Sequence, residues 1–367
     1  MSRIPLSTVP IKTEPIPPAV VEEIETFEAE AMRMVSGDVS GDLFRPFRLQ
    51  YGIYGQRQAG VQMVRIKIPF GGLTANQLRR VAELTEKYAT GVGHVTTRQD
   101  IQLHFVELKD VPNIMRGLAE VGVTTREACA NTVRNVTACH LAGICQGEVF
   151  DVTPYAKTVA LHLLRNPLNQ SLPRKFKIAF SGCKQDCALT PIHDIGLLAA
   201  KRADGTIGFR MVAGGGLGSA PRLAQVLREF TPMDELIPSV EAVIRVFDTL
   251  GNRKNRTKAR MKFVIEKLGF AEFKRRWEEA YVSMGHARPT HEPIKLLSYP
   301  DEPVPLIMPT SNVSNQAAMQ TNGYVNGAPA ETPFQMWRRT NVVRQKQAGY
   351  VAAVTKLFMG DLTAEQM

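Results

Sequence analysis

The sequence has little that would take it into a membrane. It contains no run of about 18 apolar residues, so no transmembrane helix is expected. Its N-terminus, MSRIPLSTVPIKTEPIPP, is rich in proline and lacks the apolar segment of a secretory signal, so a cytoplasmic protein is expected. Aromatic residues make up only 7% of the chain. Nucleic acid is commonly held by aromatic side chains interleaved with basic ones, and their shortage weighs against that role. Cysteine is scarce too. There are five, an odd number in a chain without an export signal, which argues against a disulfide framework. Acidic residues are outnumbered 35 to 45 by basic ones, giving a net charge of +10. That balance suits an anionic partner, whether nucleic acid, an acidic protein or a small anion, and equally suits simple solubility. The 367 residues, 44% of them hydrophobic, are enough for two or three globular domains.

Residues 1–20 read as a loosely attached arm, and 22–34 have helical spacing. MVRIKIP (63–69) alternates as a strand, Gly71-Gly72 makes a turn, and Thr74 is placed to N-cap the helix ANQLRRVAELTEKYA. HVTTRQDIQLHFV (94–106) reads as a second strand and VPNIMRGLAEVG as a second helix. A strand–helix–strand–helix unit of this size is half of a ferredoxin-like sandwich. A second α/β region follows, with a helix near 155–164, strands at KFKIAFSG, IGLLAA and IGFRMVAG, and helices over 222–230, 233–250 and much of 257–281. From 285 to 333, eight prolines and a polar stretch mark a linker.

RQAGVQMVRIKIPFGGLTANQL (57–78) aligns without gaps with KQAGYVAAVTKLFMGDLTAEQM (346–367). Gln58, Ala59, Gly60, Lys67, Gly71, Leu73, Thr74, Ala75 and Gln77 recur as identical residues, which implies a duplicated domain. The expected division is an N-terminal arm and helix (1–44), a ferredoxin-like half-domain (45–122), an α/β domain (123–284), the linker (285–333) and the truncated start of a second half-domain (334–367). The chain is accordingly expected to be a fragment, and its last apolar strand an aggregation hazard unless something pairs with it.

Four of the cysteines form two close pairs, Cys139 with Cys145 in TACHLAGIC and Cys183 with Cys187 in SGCKQDCA. Four thiolates are the usual ligands of a 4Fe-4S cluster. Zinc is the rival, although structural zinc sites space their cysteines more closely. Inert buried thiols are the third possibility. Cys129 has no close partner and reads as a small buried hydrophobe.

A C-x5-C pair followed about 40 residues on by C-x3-C resembles the cluster signature of siroheme-dependent sulfite and nitrite reductases. The resemblance covers residues 45–283 and the segment after 333. It implies an α+β/α/β fold, with a ferredoxin-like half-domain followed by a siroheme and 4Fe-4S reductase domain, and two pseudo-symmetric halves in the full enzyme. It also implies six-electron reduction of sulfite to sulfide or nitrite to ammonia, with electrons from ferredoxin. The cluster would be held by Cys139, Cys145, Cys183 and Cys187, and Cys187 would bridge it to the siroheme. T-x-R-Q, R-N-V and P-R-K-F-K resemble the family's anion site, which puts catalytic roles on Arg98, Arg134, Lys175 and Lys177. Siroheme carboxylates would fall to Gln99, Gln102 and Arg126 by their motif neighbours. Arg253, Arg256 and Arg260 would contact siroheme, dock ferredoxin or form a solvated face. Lys177 resembles the sulfite branch, where nitrite enzymes tend to carry Asn, whereas RNVTACHLAG looks like the nitrite branch.

One departure is plain. The best-known relatives divide the basic residues and the cluster cysteines between two halves, and this chain carries both. Cys139–Cys187 could thus serve the catalytic haem or a second centre, and the truncated repeat leads one to expect a missing C-terminal half or a partner subunit. Two other functions stand beside the enzyme: a cofactor-holding electron-transfer half, and a basic zinc-containing nucleic-acid-binding protein.

Overall fold

Alternating apolar residues set the first sheet of the chain, seen here in a computed structural model that describes residues 10–284 and 331–367, with backbone alone at 324–325 and 328–329. Two units form, one from 1–143, 147–296 and 357–367, the other from 144–146 and 297–356.

In the first unit, strands β1 (Ile53–Gly55), β2 (Val61–Ile66), β3 (Val92–Val95) and β4 (Ile101–Glu107) pair antiparallel in the order β1-β2-β4-β3. Val64, Ile66 and Leu103 point into a core shared with helices α1 (Pro18–Ser36), α2 (Gly41–Gln50), α3 (Ala75–Tyr88) and α4 (Val111–Ala119). Each such fully buried aliphatic contributes about 1.5–3 kcal/mol. Phe27 of α1 anchors an aromatic group with Phe44, Phe47 and Tyr51. Thr74 caps α3 as the sequence predicts, in a reciprocal box with Gln77.

The second sheet has the order β5-β6-β7-β8-β9. Strands β5 (Val133–Ala138), β6 (Phe176–Ser181) and β7 (Ile195–Lys201) run parallel, and β8 (Ile207–Ala213) and β9 (Gln225–Pro232) add antiparallel. Phe176, Ile178 and Phe180 are all fully buried under helices α5 (Thr153–Leu163), α6 (Leu236–Leu250), α7 (Met261–Leu268) and α8 (Phe270–Ser283).

Three local expectations are corrected. Residues 222–230 are not a helix: β9 pairs with β8 there, tertiary pairing overriding a helix-like spacing of apolar residues. Residues 94–106 are not one strand but two, folded back at Thr96–Asp100, where Gln99 takes a left-handed backbone (φ 59). The arm is attached in part. Lys12 and Asn76 exchange two hydrogen bonds of 2.8 Å, and the amide of Glu14 donates to the carbonyl of Glu120. The expected linker falls largely outside the described residues.

The second unit holds β10 (Tyr324–Val325), β11 (Ala328–Pro329), α9 (Pro333–Asn341), β12 (Val342–Arg344) and β13 (Val351–Ala353). The β12–β13 hairpin pairs 342 with 353, 343 with 352 and 344 with 351, residue for residue the register of β1–β2. The likeness continues along the chain. Phe70 and Met359 share a left-handed backbone (φ 48 and 52), and Thr363–Gln366 repeats the capping box of Thr74–Gln77. The last strand, β14 (Asp361–Thr363), belongs to the first unit and pairs antiparallel with β3, so this strand has a partner.

Candidate functional site

The cysteines come first, because parallel strands place them. Ala138 and Phe180 are register partners at the carboxyl ends of β5 and β6, the side of a parallel sheet where ligands usually bind. Cys139 follows β5 directly, and its amide donates to the carbonyl of Phe180 (3.1 Å). Cys183 and Cys187 lie in the loop after β6. Burial pushes the Cys139 thiol up to about 12, and the neighbouring Cys187 and Cys183 add to the rise. Cys139 thus lies near both Cys187 and Cys183. Cys145 is half-buried in the segment 144–146, which belongs to the second unit. Cys129 is fully buried, and burial raises its thiol to about 11. Among the described residues no three His, Cys, Asp or Glu side chains close on a single metal ion.

Arg98 and Gln99 sit in the β3–β4 turn. Thr96 Oγ1 organises it by accepting from the amides of Arg98 and Asp100 (3.1 and 3.2 Å). Asp100 is buried beneath, facing the amide of Ile68, and burial raises its carboxyl to about 6 against the pull of Arg65 and Arg98. Asn135 donates to the carbonyls of Arg98 and Ile68. The Gln99 carboxamide pairs twice with the main chain of Ala138, donating at 2.8 Å and accepting at 3.1 Å. The turn is thus fastened to β5 one residue before Cys139. The Arg98 guanidinium reaches Thr137, Asn135 and Ile178, bridging β5 and β6, while its Nε is buried with no hydrogen-bond partner among the described residues.

Lys177 is on β6, and its side chain meets Arg98, Arg260 and Lys175. Burial first, then those cations, lower its ammonium to about 8, opposed by Asp194. His193 lies beside it. Burial and Arg98 hold its imidazole down at about 3, so the ring is neutral at ordinary pH.

A cavity of about 410 Å³ opens between these groups. Arg98, Gln99, Lys177, Cys187, His193 and the apolar Leu189 and Leu217 are among the residues that line it. Four residues singled out in the sequence thus share one cavity. Others do not line it. Arg134 donates to the carbonyls of Ala128 and Ala130. Lys175 is half-buried, its ammonium lowered by burial and then by Arg134 and Arg260. Arg126 lies over the ring of Tyr51 at 4.5 Å and donates to Gln170. Gln102, with its amide oxygen turned to Arg65, accepts from that guanidinium at Nε (3.0 Å). Arg253 pairs with Asp248, and Arg260 with Asp194. The glycine run 213–218 packs tightly: a Cβ on Gly215 would lie 2.1 Å from the Pro191 carbonyl.

Sequence reasoning passed over Arg65, His193 and Asp194. Arg65 carried a signal, a charge in the middle of an apolar strand. Asp194, in PIHDIG, carried none before the fold put it under Lys177 and Arg260.

A ferredoxin-like half-domain is thus joined to an α/β domain with thiols at its parallel strand ends. Residues 129–283 match the nitrite and sulphite reductase 4Fe-4S domain, and residues 54–121 the nitrite/sulfite reductase ferredoxin-like half domain. The chain belongs to the siroheme-dependent nitrite and sulfite reductase family, whose members are oxidoreductases. It is 36% identical over 281 residues to the assimilatory ferredoxin-dependent nitrite reductase of Haloferax mediterranei, covering 72% of this chain and 48% of that one. It is 32% identical to the chloroplastic ferredoxin–nitrite reductase of Arabidopsis thaliana, covering 74% and 47%. The Mycobacterium tuberculosis NirA structure superposes with a TM-score of 0.71 at 27% identity, over 96% of this chain and 61% of that one. The chain spans about half the length of the curated relatives it matches. Among the described residues no helix is long and apolar enough to cross a membrane. The zinc-containing nucleic-acid alternative finds no support in these likenesses.

Proposed function

We propose that this chain takes part in the six-electron reduction of sulfite to sulfide or of nitrite to ammonia, with electrons from ferredoxin, at a siroheme coupled to a 4Fe-4S cluster. The observation that carries this is the cavity that Arg98, Lys177 and Cys187 line together.

The residues fit both groups. Cys139, Cys183 and Cys187 follow the ends of adjacent parallel strands, and burial holds the Cys139 thiol up, which iron would reverse by binding the thiolate. Cys139, Cys183 and Cys187, with Cys145 as the fourth, would hold the cluster, and Cys187 would adjoin the siroheme. The cavity, lined by the cationic Arg98 and Lys177 and by Leu189 and Leu217, suits a macrocycle that is apolar on its faces and carboxylated at its rim. When bound, siroheme and cluster supply electrons one at a time.

The chain's own groups do the rest. Arg98 and Lys177 neutralise a bound oxyanion. Lys177, with its ammonium lowered to about 8, can give up a proton as an oxygen leaves as water and regain one from solvent. Arg134 and Lys175 extend the positive field without touching the cavity. Gln99 fixes the Arg98 turn against β5, and Gln102 and Arg126 steady Arg65 and the 124–128 loop.

The same proposal divides the chain at 1–44, 45–122, 123–284, 285–333 and 334–367, supported by the two family matches. It places the protein in the cytoplasm. A second version has the chain as a cofactor-holding half that turns over only with a further half or partner subunit, favoured by its coverage of about half of each relative. Anaerobically purified protein is expected to hold about four iron and four sulfide per chain, and Cys183→Ser to lose most of both. Zinc without sulfide would refute the cluster. A haem absorption band in the chain alone separates the first version from the second.

A further inference from the structure

Asp194 stands just before β7, and its side chain is fully buried. Its Oδ2 accepts from the amide of Lys177 and from Nη2 of Arg260, both at 2.8 Å. Its Oδ1 and the Nε of Arg260 are buried without hydrogen-bond partners among the described residues. One oxygen thus ties β6, at the residue whose side chain walls the cavity, to Arg260 at the head of α7. A carboxylate this deep is tolerated only while its cation stays with it, so the two residues hold each other in place.

We propose that Asp194 is the positioning residue of the anion-binding wall, setting Lys177 through the β6 backbone and Arg260 through its guanidinium. This rests on the anion-binding reading of the cavity. Four groups act near the Lys177 ammonium besides Asp194: Arg98 from the β3–β4 turn, Lys175 just before the same strand, Arg260 at the head of α7, and the neutral His193. Three of them are cationic. With Asp194 neutral, the carboxylate that opposes these cations at Lys177 would be lost, and Lys177 would lose its proton at lower pH.

The experiment compares the full chain as purified with its Asp194→Asn, Arg260→Gln, doubly substituted and Lys177→Ala forms. Sulfite affinity is measured by calorimetry across pH, and the readiness of Lys177 to be acylated is followed by mass spectrometry. Asp194→Asn and Arg260→Gln are each expected to weaken sulfite binding by about tenfold, the order of one charge-assisted contact. The double form should be no weaker than Asp194→Asn alone, since the pair acts as a unit. Lys177 in Asp194→Asn should become reactive at lower pH than in the wild type. A folded Asp194→Asn protein with wild-type affinity and an unshifted Lys177 profile would overturn the proposal, as would additive losses. Asp194→Glu covers the case in which the Asn form does not fold: positioning predicts weaker binding with an unmoved Lys177 profile, and wild-type affinity overturns it. A wild type that ignores sulfite, or a Lys177→Ala form that binds it equally well, would overturn the anion site itself and Asp194's role with it.

Discussion

Two buried side chains, His193 and Asp100, give opposite pH signatures. His193 has its folded value held at about 3 against an ordinary 6.5. A depressed group lends stability above its unfolded value and loses it as pH falls, so its contribution drains away between 6.5 and 3. Asp100, raised from 3.8 to about 6, works the other way: its contribution is present at low pH and lost as pH rises through 6. On acidification from pH 7 to 4, followed by denaturant unfolding, His193→Gln should retain more stability than the wild type and Asp100→Asn should lose more. Substrate choice is also a residue matter. In a full-length enzyme carrying this sequence, Lys177→Asn is expected to lower sulfite turnover more than nitrite turnover, because sulfite is partly a dianion near neutral pH and nitrite a monoanion. Equal losses in steady-state assays would show that Lys177 does not discriminate.

At the scale of elements, the β3–β4 turn and β14 bear the most. Gln99→Leu removes both hydrogen bonds to the Ala138 main chain and should cost about 1–3 kcal/mol, measurable by denaturant unfolding, with looser iron retention because Cys139 is the next residue. Ending the chain at residue 356 removes β14 and bares β3; lower unfolding temperature and more light scattering are expected. Elements with a local signature were legible in advance. Thr74 caps α3 where its position said, and KFKIAF is the buried strand its apolar run implied. What failed needed information from elsewhere in the chain. The 94–106 stretch alternates throughout, and nothing in that pattern shows that Thr96 folds the chain back on itself. RLAQVLREF is helical by spacing and became β9 because β8 was left with an open edge.

The whole molecule shows the same division. Cysteine spacing and the repeat pointed to the family without any structure, since both are patterns along the chain. The cavity was only half legible. Arg98, Gln99, Lys177 and Cys187 could be named from motifs, but Asp194 and His193 could not, because their importance comes from what lies over them. The pairing of β14 with β3 has a consequence in time. His94 and Asp361 lie 267 residues apart in sequence yet 2.9 Å apart in space. A ribosome adds about 5–20 residues per second, so β3 emerges roughly 13–50 seconds before the strand that covers it. Throughout that interval the growing chain carries a bare sheet edge, and the short β3, with Gly93 at its centre and a polar histidine beside it, offers passing strands little to hold.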